Sequence, residues 1–286
     1  MKEKSLYLEV KDHSVSGKIF QLLYNEKYDM LETAPQPSLD KLPEYYQSEN
    51  YISHTDSKRN LFEKAYHLVR HYSLKQKIKF IERHSESGKK LLDIGCGTGD
   101  FLKSAIDSDW KVHGVEPNEQ ARAIANYKTN NKVFTPEVLD DFPQASFNII
   151  TLWHVLEHLP NLEQQIKTLN RLLKKEGTLI IAVPNYKSYD AEYYKSFWAA
   201  YDAPRHLWHF SKESIDKLFS EVGMTVSEIK PMAFDSFYVS LLSEKYQTGK
   251  MKFFNGFFRG LLSNLKAKSS GEWSSLIYVL KKGPKH

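Results

Sequence analysis

At 286 residues, with 41% of them hydrophobic, the chain has apolar side chains enough for a sizeable core, as one large domain or one domain with attachments. Its net charge of +5 is modest and gathers at residues 58–90 and 245–268 without forming one long run, which argues for solvated helix faces and against a nucleic-acid partner. Cys96 is the sole cysteine, so an intrachain disulfide is excluded. No stretch reaches the roughly 20 apolar residues of a membrane helix, the first residues carry no apolar segment of signal-peptide type, and a cytoplasmic setting is expected.

Residues 5–34 alternate loosely and break at Asp12-His13-Ser14 and Asn25-Glu26, which predicts short strands in a hairpin-like element. A turn-rich linker, Ala34 to Pro43, closes this front piece, taken as a β flap over 1–44. After Tyr45-Tyr46 and Tyr51, a helical pattern runs from about Ser57 to His84. Its apolar positions, among them Leu61, Phe62, Leu68, Ile78 and Ile81, define a helical lid over 45–85.

Leu91-Leu92-Asp93-Ile94 reads as a buried strand that stops at Gly95-Cys96-Gly97-Thr98-Gly99, and Phe101-Leu102-Ala105-Ile106 starts a helix. Strand, tight turn and helix open an α/β sheet of Rossmann type. Glycines without Cβ let the backbone lie against a ligand. A dinucleotide site asks for G-x-G-x-x-G; here the third glycine comes one residue early, and Asp93 and Asp100 flank the turn, a setting that suits a cationic group better than a diphosphate. The second strand, Trp110 to Val115, ends at Glu116, whose carboxylate can accept from both hydroxyls of a ribose. A nicotinamide or other nucleoside unit is the alternative on these residues.

Asp93-Ile94-Gly95-Cys96-Gly97-Thr98-Gly99 with Glu116-Pro117-Asn118 resembles the class I S-adenosylmethionine-dependent methyltransferases, from about residue 86 to the C-terminus. The resemblance implies a doubly wound seven-stranded sheet whose last strand is antiparallel, and S-adenosylmethionine as cofactor. It implies cofactor contacts from Asp93, Gly95, Cys96, Gly97, Thr98, Gly99, Phe101, Glu116, Pro117, Thr135, Trp153 and His154. The front piece resembles an N-terminal segment that carries zinc-binding cysteines in some bacterial members; no cysteine precedes Cys96, so no such zinc site is expected.

Strand three is predicted at about Lys132–Thr135, strand four at Phe147–Trp153 and strand five at Thr178–Val183, with a helix from Leu162 closed by Gly177. The family places an acid where Asn148 stands and another just after strand three, near Thr135, Pro136 and Glu137. Pro184-Asn185-Tyr186 resembles an element of base-modifying methyltransferases but follows strand five, not strand four, and is set aside. An aromatic insertion spans 184–210 and holds Asp202-Ala-Pro-Arg205-His206-Leu-Trp-His209-Phe210-Ser211, similar to a segment of a bacterial methyltransferase subgroup. Ser211 reads as an N-cap and Met224 to Ile229 as strand six. A second insertion spans 232–271; in it residues 254, 257, 258, 261, 262 and 265 make an apolar stripe with basic flanks. That stripe is expected to pack on its own domain, with a membrane surface met through 250–268 as the alternative. Ser275 to Leu280 is the last strand.

Methyl transfer to a hydroxyl is helped by a base of near-neutral pKa, which points to His154, His158, His206 and His209, with His154 or His206 preferred and Arg205 as a binder of an acidic acceptor group. His154, Glu157 and His158 share one face of a helical turn. The ubiquinone-biosynthesis O-methyltransferases and small-RNA 2′-O-methyltransferases hold a divalent metal there with E-x-x-E-H. No metal is expected here, and His154, Glu157 and His158 are the alternative ligand set. The reading is a methyltransferase acting on a small or lipid-like acceptor at oxygen. The alternatives are a non-catalytic S-adenosylmethionine-binding protein and a nucleic-acid methyltransferase.

Overall fold

The structure, a computed structural model, describes residues 4–46, 61–86 and 88–283, with only the backbone described for 61–71. The predicted helix start at Ser57 and the segment around Tyr51 lie outside the described residues. Where described, the lid helix α1 covers Leu61–Arg83.

The centre is a seven-stranded sheet made of β4 (Lys90–Ile94), β5 (Lys111–Val115), β6 (Val133–Phe134), β7 (Phe147–Trp153), β8 (Leu173–Pro184), β10 (Met224–Pro231) and β11 (Ser275–Lys282). The order is β10-β11-β8-β7-β4-β5-β6. The strands from β4 to β8 pair in parallel, and β11 lies between β8 and β10, antiparallel to both. Alternate residues feed opposite layers, as the period of a strand dictates. Leu92, Ile150, Leu152 and Ile181 belong to one core, under the short α4 (Val138–Asp141), α5 (Leu162–Leu172) and α7 (Lys212–Ser220); α6 (Tyr189–Tyr194) lies in the aromatic insertion. Leu91, Ile149, Ile180 and Val279 belong to the other, under α1, α2 (Asp100–Ile106) and α3 (Glu119–Thr129). Each such fully buried side chain contributes about 1.5–3 kcal/mol, so the sheet is a rigid support for whatever its strand ends carry. Ser211 caps α7 as expected, in a capping box closed by Ser214.

Three expectations are corrected. The helix before strand five ends at Leu172, not near Gly177, because Leu173 already pairs with Phe147 and starts β8. The third strand shrinks to Val133–Phe134. The apolar stripe of the second insertion does not pack inward. The insertion folds as two helices, α8 (Asp235–Thr248) and α9 (Phe253–Ser270), and α9 buries Gly256, Gly260, Ser263 and Ala267, its small-residue face. Phe254, Phe257, Phe258, Leu261 and Leu265 face outward.

The front piece forms strands β1 (Ser5–Lys11), β2 (Ile19–Asn25) and β3 (Met30–Ala34). They form a second antiparallel sheet completed by β9 (Trp208–His209), with Leu31 opposite His209 and Glu32 opposite Trp208. Val10, Phe20, Leu22 and Leu31 share a core with Tyr186, Tyr194 and Trp198 of the aromatic insertion. Asp29 receives hydrogen bonds from Ser211 (2.6 Å) and Lys187 (2.6 Å), which tie the sheet to the start of α7.

Candidate active site

The C-terminal ends of β4, β5 and β7 meet where the sheet order reverses, the place where open α/β sheets bind ligands. The backbone leaves β4 through Gly95, Gly97 and Gly99, all at positive φ. Gly99 caps α2 at φ +76°, and a Cβ there would sit 2.9 Å from the backbone of Ala125, so the turn presses on α3. A Cβ on Gly97 would meet nothing within 4 Å, leaving clear space above the turn for a ligand. The Glu116 carboxylate reaches over this turn. One oxygen accepts from the Gly97 amide at 2.9 Å and the other from the Asn118 amide at 2.9 Å. Burial raises its pKa, which those amides counter.

Asp93 is buried, accepts from the Thr151 hydroxyl at 2.6 Å, and is pushed up to about 7 by burial, against the pull of Thr151 and Lys77. Its neighbourhood was only partly foreseen. Lys77 of α1 stands over the Trp153 ring at 4.2 Å, and burial lowers its pKa while Asp93 and Asp235 raise it. Lys77 sits four residues before Ile81 on the apolar stripe of α1; a charge on a core-facing stripe is the signal that marks it. Asp235 opens α8, and nothing in its local sequence marks it as a site residue.

Trp153 and His154 end β7 together. Trp153 packs edge to face on Phe101, 5.9 Å between centroids. His154 has φ +57°, rare for a residue with a Cβ, and both its ring nitrogens meet carboxylates: Nε2 lies 2.9 Å from Asp235 and Nδ1 lies 3.4 Å from Glu157. Burial opposes charge on the ring, but Asp235 and Glu157 outweigh it and push the pKa up to about 10. That favours the charged form of His154 near neutrality, with both ring nitrogens turned to carboxylates.

Glu157 is 1% exposed, and among the described residues neither of its oxygens has a hydrogen-bond partner. Beside it lie His158 and His206, whose ligand atoms fall within 4.8 Å of one another and of Glu157. His206 is not the residue expected in this cluster; it replaces His154, which turns to Asp235. Nδ1 of His206 lies 2.9 Å from the Ala200 carbonyl and Nδ1 of His158 lies 3.1 Å from the Arg205 carbonyl. The Ala200 carbonyl only accepts, which places a proton on Nδ1 of His206 and leaves a lone pair on Nε2 of the neutral ring; Nδ1 of His158 also meets the Tyr46 hydroxyl at 3.0 Å, which can donate or accept. Burial and the neighbouring imidazoles hold His206 well below the usual histidine range, in its neutral form.

The structure gives the other expected residues these places. His209 is buried, bonds Thr33 Oγ1 at 3.1 Å, and is pushed down to about 3 by burial, which makes it a fixture of the front sheet. Arg205 pairs with Asp202 and donates to Ser14 at 3.1 Å, so its charge is matched within the fold. Cys96 is half-buried, and its sulfur lies 2.9 Å from where a Gly114 Cβ would be, which leaves only its backbone for the turn. Thr98 donates to Asp100 at 3.1 Å, while Pro117 and Thr135 are exposed at the rim. Asn148, the second residue of β7, accepts from the Lys90 amide at 3.2 Å, at the end of the sheet opposite the turn, so its departure from an acid does not touch the site.

A seven-stranded sheet with an inserted antiparallel strand, a glycine turn after β4 and a ribose-type acid after β5 define the nucleoside-binding transferases of Rossmann-like architecture. Residues 66–229 match the family model described as a methyltransferase domain, and the chain belongs to that family, the class I S-adenosylmethionine-dependent methyltransferases. The chain is similar to the ubiquinone biosynthesis O-methyltransferase of Idiomarina loihiensis, 30% identical over 118 residues, 38% of this chain and 49% of that protein. It is also similar to the ubiquinone biosynthesis O-methyltransferase of Nitrosospira multiformis, 25% identical over 178 residues, 56% of this chain and 72% of that protein. The chain thus spans about half the length of the first of these relatives. In fold it is similar to the geranyl diphosphate C-methyltransferase of Streptomyces coelicolor A3(2), with a TM-score of 0.54 and 14% identity over 81% of this chain and 89% of that one. Among the described residues, no helix is long and apolar enough to cross a membrane.

Proposed function

We propose that this methyltransferase moves the methyl group of S-adenosylmethionine to an oxygen of a small or lipid-like acceptor. When bound, the donor supplies a methyl group already activated on a cationic sulfur, so the protein has chiefly to orient two reactants. Glu116 receives the ribose hydroxyls, and the open space over Gly97 admits the nucleoside. Asp93 and Lys77 offer an anion and a cation to the ammonium and carboxylate of the donor's amino-acid end. Trp153 and protonated His154 close the methyl side.

The observation that supports oxygen as the acceptor atom is Glu157, buried with no hydrogen bond to its carboxylate among the described residues and flanked by His158 and the neutral His206. An acceptor hydroxyl gives Glu157 the hydrogen bond it lacks, and the carboxylate takes that one proton as the oxygen gains the methyl group and the donor's methyl–sulfur bond breaks, with His206 and His158 beside it. The test is turnover on a panel of hydroxylated and amine acceptors with Glu157→Gln as control. Transfer to hydroxyl acceptors, lost in the variant, is the expected result; transfer to amines alone, or full turnover in the variant, contradicts it.

A second reading has its own support. A buried carboxylate with no hydrogen bond among the described residues, beside two imidazoles whose Nδ1 atoms lie against backbone carbonyls, is a fitting donor set for a divalent cation, with ring orientation fixed from behind. Glu157, His158 and His206 would hold it, where no metal was expected and His154, Glu157 and His158 were the alternative set. Two nitrogens and one oxygen suit a transition metal better than magnesium. Such an ion would polarise the acceptor oxygen. Metal analysis before and after chelation, with turnover followed in parallel, separates the two readings.

A further inference from the structure

The helix α9 presents its apolar side to solvent and its small side to the protein. Phe254 is 92% exposed, Phe257 62%, Phe258 60% and Leu265 52%, and at helical spacing these fall with Leu261 on one face. The opposite face lies against α8 at close range: a Cβ on Gly256 would be 2.8 Å from the Leu241 Cα, and one on Gly260 would be 2.8 Å from the Phe237 Cα. The outward stripe is therefore not a core face that failed to pack. The core face of α9 is already used, and a contiguous run of exposed aromatics marks an interaction surface.

Charge identifies the occupant. Residues 245–271 contain six cations (Lys245, Lys250, Lys252, Arg259, Lys266, Lys268) and no carboxylate. Lys250 and Lys252 precede the first turn of α9, where the helix dipole disfavours positive charge, so helix stability does not explain them. Arg259 and Lys266 lie along one flank, 4.0 Å over the rings of Tyr193 and Tyr189. A second copy meeting this face about a two-fold axis would bring the same cations together, because such an interface is the same patch on both subunits. An anionic bilayer surface complements both features, taking the phenylalanines among its acyl chains and the lysines among its headgroups.

We propose that the outer face of α9 docks this protein on an anionic lipid bilayer, lying in the plane of the interface. The docking does not depend on the reaction. One consequence rests on the proposed methyl transfer: α8, gripped by α9, carries Asp235 to His154, so docking brings the site to the interface and favours an amphiphilic acceptor.

The test is co-sedimentation of the full chain with vesicles of phosphatidylcholine, with and without phosphatidylglycerol, in the absence of donor and acceptor. Binding is expected only to the anionic vesicles, and it weakens as salt is raised. Phe254→Ser/Phe258→Ser lowers the partition by at least about tenfold, and Lys250→Gln/Lys252→Gln by about tenfold. Adenosylhomocysteine affinity stays unchanged in both, which certifies the fold. A Phe258→Trp variant, which needs no loss of function, shifts its emission to the blue on anionic vesicles. Absent or salt-insensitive binding, partition untouched by both double variants, or a dimer dissolved by Phe254→Ser/Phe258→Ser each overturns the proposal. A failure here leaves the methyl-transfer reading standing, since neither reactant is in the assay.

Discussion

Glu116 and Glu157 are both buried, at 3% and 1% exposure, and their surroundings are opposite. Each oxygen of Glu116 already holds a backbone amide, from Gly97 and Asn118, so its geometry is set before a ligand arrives. Neither oxygen of Glu157 holds a hydrogen bond among the described residues; a cation, His154, stands at 3.4 Å. On the proposed reading, the donor half of the site is organised by backbone and the acceptor half by side chains. A buried carboxylate with its donors in place acts as a fixture, and one without them is poised to take a proton, a hydroxyl or a cation.

The largest test of that contrast is on turnover. Glu157→Gln keeps the shape and removes the charge; methyl transfer falls by about a hundredfold or more if the carboxylate works with the neighbouring imidazoles on the acceptor proton. A smaller effect is expected on donor affinity in Glu116→Ala. Losing hydrogen bonds to a charged group costs roughly 1.5–3 kcal/mol, or about a tenfold to hundredfold rise in the dissociation constant for adenosylhomocysteine, measured by calorimetry.

Smaller again is the effect of Asp235→Asn, read on His154 by NMR titration. Asp235 and Glu157 push the wild-type imidazole up to about 10, and the variant is expected to fall by at least about one unit because its main counter-charge is gone. The sign for stability follows. A histidine raised in the folded state stabilises fully below its unfolded pKa, near 6.5, and that gain is lost as pH rises towards 10. The difference in thermal midpoint between wild type and Asp235→Asn is therefore widest in mild acid and closes in alkali; a gap that widens with pH contradicts the pairing.

The smallest effect is a fraction of a proton. Asp93 is pushed up to about 7, so near neutrality part of the population is protonated. A cationic donor end beside it lowers that pKa, and binding releases protons. Calorimetry at pH 7 in buffers of different ionisation enthalpy would read about half a proton released, and affinity would decline as pH falls below 7.

The same contrast decides what was legible in the sequence. Gly95 to Gly99 and Glu116 stand within one strand-turn-helix-strand stretch, where spacing alone limits what the backbone can do, and the sheet around them follows from runs such as Phe147–Trp153. Glu157, His206, Asp235 and Lys77 come from four separated segments, and no local period says that they meet. His154 was visible as a strand-end residue, but its charge is set by Asp235, 81 positions away, and only the fold exposes that pairing. The stripe of α9 misled for a related reason. An apolar face usually points inward, and the competing signal, Gly256 and Gly260 spaced for close helix contact, was on the other side of the same helix.

Adenosylhomocysteine titrated by calorimetry into wild type, Glu116→Ala and Glu157→Gln, with methyl transfer followed on the same preparations, tests the division between the two halves most directly. The expected pattern is weakened binding in Glu116→Ala alone and lost transfer with donor affinity intact in Glu157→Gln. Equal loss of donor affinity in both variants would contradict it.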